Sequence, residues 1–264
     1  MQTTNKKIEQ LKTNGYELQF ENVFNKAFEN YKKIAVYAGL AILVFGFLMV
    51  IVAGIGIVGF IGVENINPNS MKQLEAKMLQ PEYIGNQFIV ALIFSSLFSP
   101  ISAGFLKMAE AGAKDTEFKM RHFFSFYNWS FFKELVIATF VITFLSTGIS
   151  SVLTYYKIPF IGSLLSFIIG IYTTLAIPLI IFGKQNAIEA IQASISISSK
   201  QFFTIFLLLL VAFFGSLVGL IGFCIGVLFT IPFNISMQYA IYDVIIGIEN
   251  EDKRNINVES EDLN

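Results

Sequence analysis

Residues 201–242 read QFFTIFLLLLVAFFGSLVGLIGFCIGVLFTIPFNISMQYAIY and contain no charged side chain. A helix of this length would extend for about 60 Å, whereas the hydrocarbon core of a bilayer is about 30 Å thick. The stretch is too long for one straight span, so we predict two spans back to back. We expect the chain to fold back near Gly219, Gly222 and Gly226, because small residues replace a polar loop there.

The composition of the whole chain also indicates a membrane protein. Of the 264 residues, 55% are hydrophobic and 14% are charged, whereas soluble domains average roughly 25% charged residues. The net charge of −1 gives no basic excess for nucleic acid, so we expect no nucleic-acid partner. The single cysteine, Cys224, cannot form a disulfide within the chain.

Four earlier apolar stretches, separated by polar segments, complete the pattern. Together they predict an all-α, polytopic membrane bundle of six transmembrane helices arranged as three helix hairpins. We predict a flexible N-terminal segment at 1–16, a six-span membrane domain at 17–247 and a disordered acidic tail at 248–264. The predicted spans are about 34–61, 84–105, 135–153, 160–182, 203–221 and 226–247.

Amphipathic segments precede the odd-numbered spans. Residues 107–133 mix basic and aromatic side chains, and residues 184–200 are mildly amphipathic. Such segments are typical of helices that lie in the cytoplasmic membrane interface or along the flank of the bundle. The segment before the first span has apolar residues at helical spacing, namely Phe20, Val23, Phe24, Ala27, Phe28 and Tyr31.

The basic residues are distributed unevenly between the two faces that six spans would create. Fifteen of the 18 lysines and arginines fall before the first span, in 107–133, in 184–200 or in the tail. By the positive-inside rule, this distribution predicts a multi-pass protein of the bacterial cytoplasmic (inner) membrane with both termini cytoplasmic. The N-terminus lacks the apolar region of a cleavable signal peptide, so the first span is expected to act as the insertion signal.

A proline occurs in the cytoplasmic half of each even-numbered span, at Pro100, Pro178 and Pro232. We interpret the chain as an internal repeat of an interfacial helix, a span, an outer turn and a proline-bearing span. The alternative is that prolines are simply common in membrane helices. Each proline frees the carbonyl one turn earlier and bends its helix, so a neighbouring hydroxyl or a water-lined cavity should satisfy that carbonyl. We expect the three prolines to lie at a similar depth.

No pattern in the sequence indicates catalysis. There is one histidine, His122, and no P-loop, nucleophile elbow or HExxH motif. We therefore expect no enzyme activity, no catalytic residue, no cofactor and no metal. Glu134 and Asp243 fall at span ends, where a solvated or paired role is expected.

Two buried amides are the candidate site. Asn234 and Gln238 lie four residues apart on one face of the last span. They either join helices or, together with Pro100, Pro178 and Pro232, line a polar cavity.

Three loose motifs resemble a family. They are Ile231-Pro232-Phe233 with Tyr239-Ala240-Ile241-Tyr242, Pro178-Leu179 with Ala187-Ile188-Glu189-Ala190-Ile191 and Ser194, and Phe24-Asn25-Lys26-Ala27-Phe28. They resemble a group of uncharacterised six-span bacterial inner-membrane proteins that is similar to the membrane domain of glycerophosphoryl diester phosphodiesterases. The resemblance implies a fold and a location for residues 18–247. It implies no phosphodiesterase activity, because no soluble phosphodiesterase domain is present.

These observations favour a non-enzymatic membrane protein that acts as a scaffold or as a bundle interacting with membrane lipids or a membrane-protein partner. The alternative is a small-molecule or lipid transporter with a cytoplasm-facing cavity, which the repeat, the proline-bent spans and the amide pair would suit. The sequence offers no charge that would be buried within the spans for ion coupling, which weakens this alternative. The lining of any cavity would discriminate between the two.

Overall fold

The computed structural model describes residues 2–61, 69, 72–73, 76, 80–222 and 225–248, and every regular element in them is a helix. Two short 3-10 helices, Ser125–Tyr127 and Val218–Gly222, accompany the α-helices. The α-helices are α1 Gln2–Asn14, α2 Phe20–Ile61, α3 Pro81–Ala113, α4 Arg121–Phe124, α5 Trp129–Tyr155, α6 Pro159–Thr173, α7 Ala176–Ile181, α8 Ala187–Lys200, α9 Phe202–Leu217, α10 Ile225–Thr230 and α11 Pro232–Ile245.

Five helical segments of the described chain are long and apolar enough to cross a membrane. Many of their apolar side chains are exposed, including Phe47 (64%) and Val50 (69%). Soluble proteins rarely expose apolar surface on this scale, so the predicted class, an all-helical membrane protein with several spans, is confirmed. The five segments are Phe20–Gly56, Glu82–Ala113, Trp129–Tyr155, Pro159–Ile181 and Phe202–Leu220.

The sixth predicted span, 226–247, is not one continuous helix. It is divided into α10 and α11, which are separated at Ile231. Pro232 is the first residue of α11 and has no main-chain N–H to donate to the Leu228 carbonyl. The missing hydrogen bond accounts for the break.

The long helices pack in a ring that follows the order of the chain. Helix α2 packs on α3, α3 on α5, α5 on α6, α6 on α9, α9 on α11, and α11 returns to α2. Their buried apolar side chains form one core. Small residues let the helices approach closely, and Ala103, Ala138, Ala212 and Ala240 are completely buried.

The chain reverses its direction between α9 and α10. The Thr230 hydroxyl donates to the Ser216 carbonyl at 2.5 Å, and the Ser216 hydroxyl donates to the Thr230 carbonyl at 3.2 Å. Nearer the turn, Gly219 and Gly226 are in direct main-chain contact, and a Cβ at Gly226 would lie 2.5 Å from the Gly219 oxygen. Only glycine fits this contact, so two of the three glycines expected at the fold-back lie there.

Ion pairs and a buried amide join α2 to α3 and α11 at one end of the bundle, which we call the polar end. Lys26 pairs with Asp243 at 2.5 Å. Asn30 is buried; its Nδ2 donates to the Ala109 carbonyl at 2.6 Å, and its Oδ1 accepts from Ser236 at 2.9 Å. The start of α2 and the ends of α3 and α11 therefore meet at the polar end.

The N-terminal segment, which the sequence predicts to be flexible over 1–16, contains a helix. Residues Gln2–Asn14 form α1, which packs on α8 and buries Ile8 and Leu11 on one face. After the helix, the Tyr16 hydroxyl donates to the Ile197 carbonyl at 3.1 Å, and burial raises the pKa of this phenol. Two apolar residues in a polar helix are enough to dock it once α8 supplies a partner surface.

The first predicted interfacial helix is continuous with the first span, since both belong to α2. Its buried face includes Val23, Ala27 and Asn30, whereas Phe20 and Phe28 are exposed. This part of α2 packs along the flank of the bundle against α11. The predicted acidic tail lies outside the described residues from residue 249 onwards.

Candidate functional site

Each of the three prolines is buried, and each leaves one main-chain carbonyl without an intrahelical donor. Pro100 lies inside the continuous helix α3 and frees the Ser96 carbonyl. The Ser99 hydroxyl donates to that oxygen at 2.7 Å. A neighbouring hydroxyl therefore satisfies the carbonyl, as expected from the sequence, and no cavity is needed here.

Pro178 frees the carbonyl of Thr174, in the break between α6 and α7. Gln238 Nε2 donates to this oxygen at 2.7 Å. In the same break, the Ser194 hydroxyl donates to the Tyr172 carbonyl at 2.7 Å and accepts from the Leu175 N–H at 3.1 Å. Side chains from α8 and α11 thus satisfy the main chain that the break exposes.

Pro232 frees the carbonyl of Leu228, which faces α2. A Cβ built at Gly39 would lie 3.1 Å from the Leu228 oxygen, and the adjacent Phe229 ring also packs against Gly39. The close approach leaves no room for a side chain at Gly39, so α2 packs directly against this carbonyl. Helix α2 therefore covers this third carbonyl.

Pro178 and Pro232 lie at different depths, contrary to the expectation from the sequence. Gln238 contacts Thr174, and further along the same direction the Tyr242 ring lies 5.5 Å from the Phe182 ring. These pairs place Pro178 beside about residue 240 of α11. Along α11, this level is about eight residues, or roughly 12 Å, beyond Pro232. The two prolines therefore do not open a recess at one level.

The predicted amide pair joins helices. Asn234 Nδ2 donates to the hydroxyl of Ser216 on α9, and Gln238 donates to the break between α6 and α7. Both residues are half-buried. The amide donors are thus used in helix packing, which was one of the two roles considered.

A different site is present between α2 and α3. A groove of about 730 Å³ runs from the polar end along these two helices, a volume typical of small-molecule sites. We call it the α2–α3 groove. It is lined by Lys33, Ile34, Tyr37, Leu40, Ala41 and Val44 of α2, by Met108, Ala111 and Gly112 of α3, and by Asp115, Thr116, Glu117, Phe118 and Met120 of the following segment.

Close packing of α2 and α3 forms the groove's floor near the polar end. A Cβ built at Gly112 would lie 2.5 Å from Ile34 Cγ2, so glycine is needed for this helix approach. Further from the polar end, Leu40 and Val44 are about half exposed and leave the groove open to the side of the bundle. An apolar occupant could enter laterally.

The groove's length matches one leaflet of a membrane. Eleven residues separate Lys33 from Val44 on the continuous helix α2, which corresponds to about 16 Å. The hydrocarbon core is about 30 Å thick. The groove therefore reaches from a charged rim to about the middle of a bilayer.

The rim carries one lysine and two carboxylates. Lys33 Nζ lies 2.7 Å from Asp115 Oδ1, and both side chains are exposed. Glu117 also lines the rim and lies 3.3 Å from Lys119. Asp115 has a positive φ of 52°, a conformation that asparagine and aspartate tolerate well. The groove is thus amphiphilic, with charges at one end and apolar walls beyond them.

The ionisable residues discussed from the sequence have local partners. Asp243 pairs with Lys26, and Glu134 accepts a hydrogen bond of 2.8 Å from the main-chain nitrogen of Ala187 at the start of α8. His122 Nδ1 accepts from the Lys119 N–H at 3.2 Å. Among the residues that the structure describes, no group of three or more His, Cys, Asp or Glu side chains is placed to hold a metal ion.

Comparison with protein-family models, curated proteins and solved structures finds no match for this chain.

Sequence reasoning did not find the α2–α3 groove. In the sequence, Lys33 contributes only to the basic asymmetry and Asp115 is one charge of the segment 107–133, because no pattern along the chain pairs residues so far apart. Only an indirect indication of the groove was present in the sequence. Lys33 and Asp115 each adjoin an apolar helix, and many apolar side chains of these helices are exposed.

Proposed function

We propose that this chain is a six-span integral membrane protein that binds one phospholipid in the α2–α3 groove. The observation that carries the proposal is the groove's amphiphilic form, with charged residues at its rim and a laterally open apolar wall about one leaflet deep. A phospholipid has the same division between a polar head and apolar chains. Packing its chains against Leu40 and Val44 would give one lipid molecule a defined position on the side of the bundle.

The six-span arrangement has support from the two short helices at the end of the chain. Helices α10 and α11 together cover residues 225–245, which is about 31 Å of helix. This length fits the hydrocarbon thickness. Their reversal against α9 and the Lys26–Asp243 pair at the polar end favour an even number of crossings.

We further propose the bacterial cytoplasmic membrane as the location, with both termini cytoplasmic. In the described part of the chain, the polar end contains or adjoins the N-terminal segment, residues 107–133 and residues 184–200, which carry most of the basic excess in the sequence. Retention of basic segments on the cytoplasmic side is the general tendency of such proteins. The bound phospholipid would then belong to the cytoplasmic leaflet.

A binding role fits the contacts better than transport through the centre of the bundle. The amides of Asn234 and Gln238, which a polar pathway would need, donate to Ser216 and Thr174. The α2–α3 groove lies at the side of the bundle and its lining includes neither amide.

Filling the apolar part of the groove tests the proposal. Val44→Trp places a large side chain in the groove, whereas Val50→Trp changes the same residue type at an exposed position of α2 outside the lining. We expect native mass spectrometry of the gently purified wild-type protein to detect one retained phospholipid per chain. Val44→Trp should lose this lipid and Val50→Trp should keep it.

The two variants also separate the possible failures. Equal lipid retention by Val44→Trp and Val50→Trp would contradict binding in the groove, as would a wild-type protein that retains no phospholipid. Both variants should have wild-type secondary structure by circular dichroism, because both substituted side chains are exposed.

A further inference from the structure

The rim of the α2–α3 groove contains charges of both signs. Lys33 supplies the cation, and Asp115 and Glu117 supply two carboxylates. From this arrangement we infer that the groove selects a phospholipid whose headgroup carries both a phosphate and a primary ammonium, as in phosphatidylethanolamine. The inference rests on the proposed lipid binding and adds the headgroup class.

The position of Lys33 suits a phosphate. This lysine directly precedes the apolar run of α2, so its ammonium lies where the chain enters the membrane. A phosphate there can accept a charge-assisted hydrogen bond from Lys33 while the acyl chains follow α2 towards Val44. The Lys33–Asp115 pair is exposed at both partners, and exposed pairs contribute little to stability. Lys33 can therefore exchange Asp115 for a headgroup phosphate with little loss of free energy.

The carboxylates at the rim favour a headgroup that carries a positive charge in addition to its phosphate. Once the phosphate engages Lys33, the released Asp115 carboxylate is available to a group that is linked to the phosphate by two carbon atoms. Glu117, which is paired with Lys119, can accept a further hydrogen bond from that group. An ethanolamine ammonium there meets opposite charge, whereas the uncharged glycerol of phosphatidylglycerol leaves the Asp115 carboxylate without a cation. The rim therefore complements a zwitterionic headgroup better than an anionic one.

Hydrogen bonding distinguishes a primary ammonium from a quaternary one. A primary ammonium has three N–H donors, and the rim offers acceptors in the two carboxylates and the Thr116 hydroxyl. The choline headgroup carries a similar charge but has no N–H donor. Phosphatidylcholine should accordingly bind in the groove more weakly than phosphatidylethanolamine.

The test is a competition among three lipids with identical acyl chains, namely phosphatidylethanolamine, phosphatidylglycerol and phosphatidylcholine. Each is titrated into delipidated full-length protein in detergent, and native mass spectrometry measures the bound fraction. We expect phosphatidylethanolamine to bind about fivefold more tightly than the other two, the factor that about 1 kcal/mol of exposed ionic interaction gives.

Substitution of the charged rim residues tests whether they cause the preference for phosphatidylethanolamine. Asp115→Asn with Glu117→Gln should remove the preference for phosphatidylethanolamine over phosphatidylcholine, and asparagine tolerates the positive φ at position 115. Lys33→Gln should weaken the binding of all three lipids. The controls are Lys32→Gln and Glu29→Gln, which alter an exposed ion pair on the same helix outside the groove and should leave all three affinities unchanged.

The outcomes separate the two proposals. Equal affinity of the three lipids, combined with loss of binding in Val44→Trp, would overturn the headgroup inference and leave the lipid-binding proposal standing. Lipid binding that Val44→Trp does not reduce would overturn both. A preference for phosphatidylethanolamine that survives in the Asp115 and Glu117 variant would also contradict the inference.

Discussion

The side-chain amide nitrogen of Gln238 lies 2.7 Å from the main-chain oxygen of Thr174 and donates a hydrogen bond to it. Pro178, four residues after Thr174, has no N–H that could bond this oxygen within the helix. Thr174 is buried, and an unpaired carbonyl inside a membrane bundle is costly. Gln238 therefore compensates on α11 for a proline on α7.

We predict that Gln238→Leu lowers the free energy of unfolding by about 1–3 kcal/mol, because the Thr174 carbonyl then lacks a partner. In a Pro178→Ala background the same change should cost less, since the restored main-chain N–H can bond that oxygen. Thermal unfolding of the four proteins in detergent measures this double-mutant cycle. The exposed Gln192 supplies the control, Gln192→Leu. Equal costs in both backgrounds would contradict the compensation.

The contact between Gly219 and Gly226 gives a second prediction. Gly219→Ala would insert a methyl group into the main chain of Gly226, and such overpacking costs about 1–3 kcal/mol. The matched change Gly46→Ala is also helical but meets no atom within 4 Å, so it should be neutral or slightly stabilising. Thermal unfolding in detergent compares the two. Similar melting temperatures would show that the contact carries no constraint.

A third prediction concerns Asn30 at the polar end. Asn30→Leu removes the partner of both the Ala109 carbonyl and the Ser236 hydroxyl, and should destabilise the bundle by about 2 kcal/mol or more. Asn25→Leu changes an exposed residue of the same helix and should have little effect. Denaturation followed by tryptophan fluorescence would compare them, and an equal effect of the two variants would argue against a structural role for Asn30.

The proposed topology predicts the outcome of cysteine labelling in intact cells. In a Cys224→Ser background, Lys157→Cys should react with a membrane-impermeant maleimide from outside. Lys12→Cys, at the polar end, should react only after the cells are permeabilised. This result follows from the basic excess of the segments at that end. Labelling of Lys12→Cys alone from outside would reverse the orientation.

The sequence predicted the membrane class and most span positions because hydropathy is a local property that the chain displays directly. It also predicted the fold-back glycines, since length alone excluded a single span over 201–242. The division of the last span at Ile231 was harder to predict, because a proline such as Pro232 can either bend a helix or end one. Which of these occurs depends on whether α2 covers the Leu228 carbonyl.

Partners distant in the chain could not be predicted from one sequence. The partner of Gln238 is a main-chain atom whose availability depends on Pro178, 60 positions earlier in the numbering. The α2–α3 groove depends in the same way on the meeting of Lys33 with Asp115. Docking of α1 was missed because its apolar face has only Ile8 and Leu11, too little for a hydropathy pattern.

The unbroken helix α2 has a mechanical consequence. Over 42 residues it extends for about 63 Å, and its first third is attached to α3 and α11 through Asn30 and Lys26. Beyond the groove, side chains built at Gly46, Gly54, Gly56 and Gly59 would meet no described atom within 4 Å. Among the described residues, α2 is therefore held mainly through its first third and has open space around these glycines. We expect a change in bilayer thickness to tilt or bend this later part of the helix, while the contacts of Asn30 and Lys26 keep the groove and its charged rim in place.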